Sequence, residues 1–116
     1  LPACGQGILG IEIRSDDAQT REYVSVLQDP EGELVGRCER ALNRHLNGGC
    51  QVPIAAFAVR EADTLWCRAL VGSPDCGTLI RAEARGPVAS PEALGIAVAE
   101  DLLSQGAREL LAAAGL

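Results

Sequence analysis

The chain has 116 residues, enough for one small domain with a core of its own. Hydrophobic residues make up 47% of it and aromatic residues 3%, so Leu, Val, Ile and Ala must supply that core. A net charge of -6 argues against a nucleic-acid-binding module, which needs a positive surface, and no apolar run approaches the roughly 20 residues of a membrane span.

In chain order, Gly5-Gln6-Gly7 reads as a plain turn, and Ile8–Arg14 as a short β-branched strand bounded by glycine and Asp16-Asp17. Asp16 is the expected N-cap of a first helix, with Gln19 at N3 completing a capping box. That helix is expected to reach about Gln28 and to be stopped by Pro30 and Gly32. Its apolar stripe, Tyr23, Val24 and Leu27, is thin.

A second helix is expected over 31–46, with Leu34, Val35, Cys38, Ala41, Leu42 and Leu46 on one face. Cys38 therefore reads as a core thiol. Arg37, Arg40 and Arg44 follow one another along the opposite side, toward Cys50. Two readings are open for this line: a solvated face, with Glu33 four residues before Arg37, or an anion-binding edge, because arginine holds carboxylates bidentately.

Leu46-Asn47-Gly48-Gly49-Cys50-Gln51-Val52-Pro53-Ile54 is the stretch around which the rest is organised. Two glycines remove side-chain cover before a thiol, so Cys50 is expected on a loop, whereas cysteine is usually buried. From spacing alone it is either a loop cysteine without a role or a presented nucleophile.

Three strand-like runs follow, at 52–60, 65–71 and 78–85, joined by short connections that carry Asp63 and Gly72-Ser73-Pro74-Asp75-Cys76-Gly77. Such connections make an antiparallel sheet. Leu65, Cys67, Ala69 and Val71 alternate with Trp66, Arg68 and Leu70, and both sets are largely apolar, so this strand is expected at the centre. Arg81, Glu83 and Arg85 alternate with Ile80, Ala82 and Ala84, giving one wet face and one packed face. The last helix starts at Ser90-Pro91-Glu92, Gly106 is expected to bend or interrupt it, and Gly115 fits its C-cap. The expected fold is α+β: a three-stranded antiparallel sheet with helices packed on one face, over residues 30–116.

The five cysteines, Cys4, Cys38, Cys50, Cys67 and Cys76, are odd in number and contain no Cys-x-x-Cys pair. That points away from both a secreted disulfide framework and a zinc site. His45, the sole histidine, reads as a surface residue in a C-terminal helical turn, where positive charge is favoured. No metal is expected. The first residues lack the regions of a signal peptide, so the expected compartment is the cytoplasm. There is no methionine, from which we expect a fragment or a processed chain.

Gly48-Gly49-Cys50-Gln51-Val52-Pro53-Ile54 resembles the cofactor-attachment loop of the porphobilinogen deaminases (hydroxymethylbilane synthases). Leu1-Pro2-Ala3-Cys4-Gly5-Gln6-Gly7, Glu39-Arg40-Ala41-Leu42-Asn43, Arg68-Ala69-Leu70-Val71-Gly72-Ser73-Pro74-Asp75 and Gly106-Ala107-Arg108-Glu109-Leu110-Leu111 fit the same family in the same order, so the resemblance spans essentially the whole chain. It implies the C-terminal part of such an enzyme. Residues 1–28 would then be an inter-domain segment and a strand–helix remnant of an upstream domain, poorly anchored without it.

The resemblance further implies a dipyrromethane held by a thioether to Cys50, with Gln6, Gly7 and Arg40 as further cofactor-binding residues. The family joins four porphobilinogen molecules head to tail on that primer, releases ammonia at each addition and frees hydroxymethylbilane by hydrolysis. Cys50 would be an anchor and not a turnover nucleophile. The family's catalytic aspartate lies in upstream domains, so no catalytic residue is expected here, the partners are those domains and the linear pyrrole intermediates, and this chain alone is expected to be inactive.

Two other classes compete. The element order is shared with double-stranded-RNA-binding domains, but those need lysines where this last helix has Ser90-Pro91-Glu92. A thiol-dependent or redox-sensing domain using Cys50 would lack a base and a resolving cysteine close in sequence.

Overall fold

Asp17 opens the first helix. In the computed structural model, which describes residues 5, 8, 12–27, 29–46, 54–73 and 77–113, α1 runs Ala18–Ser25. The Asp17 carboxylate accepts the Thr20 backbone N–H at 2.9 Å and the Thr20 hydroxyl at 2.7 Å. The cap is therefore one residue later than expected from the capping-box pattern. Asp16 meets the Arg14 guanidinium at 3.3 Å instead, and Gln19 donates to the Tyr23 hydroxyl. No residue of α1 is buried, and Tyr23, Val26 and Leu27 are exposed. Over 8–14, the described residues Ile8 and 12–14 lie in no strand. All three strands of the described sheet come from later in the chain.

Pro30 starts a helix where the sequence reading had it end one. Helix α2 runs Pro30–His45, with Asp29 as N-cap and Pro30 in the first turn. Proline has no N–H to lose there, and its fixed φ suits the first helical position. Glu31 and Glu33 lie in the first turn and Arg44 and His45 in the last, as the helix dipole favours. Cys38, Ala41 and Leu42 are buried, as is Leu46 at the C-cap.

The strands are β1 (Ile54–Glu61), β2 (Thr64–Gly72) and β3 (Leu79–Pro87), in the order β1-β2-β3 and antiparallel throughout. The register sets Ala58 opposite Cys67, and Cys67 opposite Ala84. β2 is central, as both its apolar faces required. Leu65, Cys67, Ala69 and Val71 point into the core. Trp66, Arg68 and Leu70 point to the other face, together with the exposed Phe57, Arg81, Glu83 and Arg85. There the Arg68 guanidinium lies 4.2 Å and the Arg85 guanidinium 4.5 Å from the Trp66 ring centroid. These cation–π contacts lie on a face that no described helix covers.

Helices α3 (Pro91–Ser104) and α4 (Ala107–Ala113) complete the chain. Gly106 separates them with φ +101, a left-handed value that favours glycine. α2 packs on β1, α3 packs on β2 and β3, and the two helices pack on each other. Their crossing depends on Gly95: a Cβ there would lie 2.2 Å from the Cys38 carbonyl oxygen. The core between helices and sheet is Leu42, Leu65, Val71, Val98 and Leu102 with the thiols Cys38 and Cys67. This is the α+β arrangement expected from the sequence.

Candidate functional site

Helix α2 and strand β1 frame the candidate site. The stretch 47–53, with Cys50, joins the α2 C-cap Leu46 to Ile54, the first residue of β1. Both of those end residues are buried. Cys50, Gln6 and Gly7 lie outside the described residues, as do Cys4, Asp75, Cys76 and Gly115.

The three arginines of α2 have different surroundings. Arg37 is committed to acidic partners: it pairs with Glu33 one turn earlier and lies 3.8 Å from Glu92 of α3. Arg40 is exposed and donates through Nε to the Gly36 carbonyl at 3.3 Å, so its forked Nη groups meet no carboxylate among the described residues. Arg44 is exposed in the last turn and makes no ion pair among them. The expected line of cations therefore divides: Arg37 serves helix packing, while Arg40 and Arg44 present guanidinium groups on the part of α2 nearest in sequence to Cys50. His45, in the last turn as expected, has its Nε2 2.7 Å from Glu100 Oε1 and ties α2 to α3.

Sequence reasoning quoted Glu39 within the family-matching stretch Glu39–Asn43 and gave it no role of its own. It is a buried charged side chain, 4% exposed. Its Oε1 accepts the Gly5 backbone N–H at 2.7 Å and its Oε2 the Ala58 backbone N–H at 3.1 Å. Ala58 is on β1, an edge strand among the described residues, so the carboxylate meets a strand N–H on a rim where none of them adds a further strand. Gly5 donates to Glu39 and accepts from the Ile8 N–H at 3.1 Å. Ile8 Cδ1 in turn lies beside Gly36, where a Cβ would meet it at 3.2 Å. Gly5 and Ile8 therefore both lie against α2, Gly5 through the residue next to Arg40. A signal for Glu39 was present in the spacing: it sits four residues after Val35 and three before Leu42, within the apolar stripe.

Fold and site together define a small open-faced α+β domain, with helices on one side of a three-stranded antiparallel sheet and a cysteine-bearing connection between its second helix and first strand. Residues 34–104 match the family model for porphobilinogen deaminase, C-terminal domain, and the chain belongs to that family. The match runs from the early part of α2 to the end of α3 and includes the Cys50 stretch. No helix of the described residues is long and apolar enough to cross a membrane.

Proposed function

We propose that the chain is the cofactor-anchoring domain of a porphobilinogen deaminase, a transferase of tetrapyrrole biosynthesis, and that Cys50 carries dipyrromethane through a thioether. The family match over 34–104, with Cys50 inside it, carries this reading. The chemistry of the donor set fits the group. A thiolate is a strong nucleophile toward carbon and forms a persistent thioether. Dipyrromethane bears acetate and propionate groups, and Arg40 supplies a forked donor that no described carboxylate has taken. When bound, the cofactor supplies the primer on which four porphobilinogen units are joined into hydroxymethylbilane with loss of ammonia.

In this reading Cys50 anchors, Arg40 binds carboxylate, and Gln6 and Gly7 border the cofactor. Residues 1–28 are an inter-domain segment and the remnant of an upstream domain, and 30–116 are the anchoring domain. The absence of buried residues in α1 supports that division. The catalytic aspartate belongs to upstream domains, so the chain by itself turns over no porphobilinogen. Cys38 and Cys67, buried and outside any disulfide, suit a reducing compartment, the cytoplasm.

Intact mass and peptide mapping of the enzyme that carries this domain, after incubation with porphobilinogen, test the proposal. The expected result is a dipyrromethane mass on the peptide containing Cys50 and none in Cys50→Ser. An adduct on another cysteine, or porphobilinogen consumption by the 116-residue chain alone, would overturn it.

A further inference from the structure

Glu39 joins three stretches that are distant in sequence. Its own helix leads into the Cys50 stretch. Ala58, 19 residues later, belongs to the strand that leads out of that stretch, and Gly5, 34 residues earlier, directly precedes Gln6 and Gly7 in sequence. Both partners are backbone N–H groups, so the side chain must accept at both oxygens. Among side chains of this length a carboxyl group accepts at both oxygens; glutamine accepts at one end and donates at the other. A buried polar group is costly unless hydrogen-bonded, and two N–H donors meet that need. Its neighbours in sequence make no such link: the Cys38 thiol faces the core, and Arg40 bonds only its own helix among the described residues.

We infer that Glu39 is a positioning residue of the candidate site: it fixes Gly5 against α2 and β1, the two elements that flank Cys50 in sequence. The inference deepens the proposed function and rests on it for the link to cofactor loading, while the latch itself rests on the hydrogen bonds alone. The consequence is a coupling. Removing this one side chain releases both Gly5 and Ala58.

The test uses Glu39→Gln and Glu39→Ala with two readouts. Amide hydrogen exchange in the 116-residue chain follows peptides covering Gly5–Ile8 and Ile54–Ala58. Iodoacetamide labelling of the buried Cys38 and Cys67 reports whether the fold holds. Cys50 loading is measured by mass in the enzyme carrying this domain, after incubation with porphobilinogen. With Cys38 and Cys67 still protected, exchange should rise at least about tenfold in both peptides in Glu39→Ala, as expected for losing a hydrogen bond to a buried acceptor. Glu39→Gln should raise it less, and loading should fall in the same order. A merely structural role would lower thermal stability without changing loading at a temperature where the variants are fully folded. Unchanged exchange in either peptide would overturn the latch, and normal loading with raised exchange would overturn the positioning role. If wild-type Cys50 takes up no cofactor, the anchoring reading fails, and the exchange data still decide the latch.

Discussion

Replacing Gly95 with alanine sets two effects of opposite sign against each other. In a helix interior alanine is favoured over glycine by about 1 kcal/mol. At this position, however, the new Cβ would lie 2.2 Å from the Cys38 carbonyl oxygen and 3.0 Å from the Leu42 backbone nitrogen. The first distance is short of ordinary van der Waals contact by about 1 Å. Both atoms belong to the α2 backbone and cannot rotate away, so α2 and α3 must separate. Overpacking of this kind costs about 1–3 kcal/mol, or more where backbone must move. Separation also loosens the core beneath the crossing, where Cys38, Leu42, Val98 and Leu102 are buried. We expect net destabilisation of about 2 kcal/mol, seen as a lower urea midpoint with an unchanged slope. A variant as stable as the wild type, or more stable by the helix-propensity increment, would refute the close crossing and the placement of α2 that depends on it.

Gly106→Ala tests the break between α3 and α4 by a different mechanism. The nearest atom to a Cβ there is Glu109 Oε2 at 3.6 Å, so space is ample, but φ is +101. The cost is backbone strain of about 1–2 kcal/mol, and a stability equal to wild type in the same urea titration would contradict the left-handed break. Asp17 supplies a pH prediction. The Thr20 hydroxyl, then the Thr20 backbone N–H, hold its carboxyl below the ordinary aspartate value, outweighing a small opposing effect of burial. The group is depressed in the folded state, so its capping contribution is present above the unfolded pKa and lost as pH falls through the folded one. The Thr20 amide shift, followed by NMR, should titrate below the ordinary aspartate range; a midpoint within or above that range would argue against the cap.

Much of the fold was legible because burial imposes a period. The α2 stripe from Cys38 to Leu46 and the alternation of Leu65, Cys67, Ala69 and Val71 each mark a face, and the structure buries those faces. Local chemistry was less decisive. Asp16 and Asp17 both can cap a helix, and only the Thr20 side chain, bonding back to Asp17, selects the second. Pro30 is a stop signal or a start signal depending on which helix claims it. The need for Gly95 could not be read locally, since it arises from a carbonyl on another helix. For the site, the Cys50 stretch and Arg40 came from motif resemblance, and Cys50 itself lies outside the described residues. Glu39 received no role from the sequence, although its helical position was that of a core residue.

The stacking on the open side of the sheet has a practical consequence. Trp66 is the chain's sole tryptophan, and it sits on the central strand against two guanidinium groups, facing away from the helices. Its emission therefore reports the integrity of the sheet and is silent to α1, whose residues are not buried. Fluorescence and far-ultraviolet circular dichroism need not report the same transition in this chain. A melt seen first by dichroism would mark the loss of α1 while the domain around Trp66 is still folded.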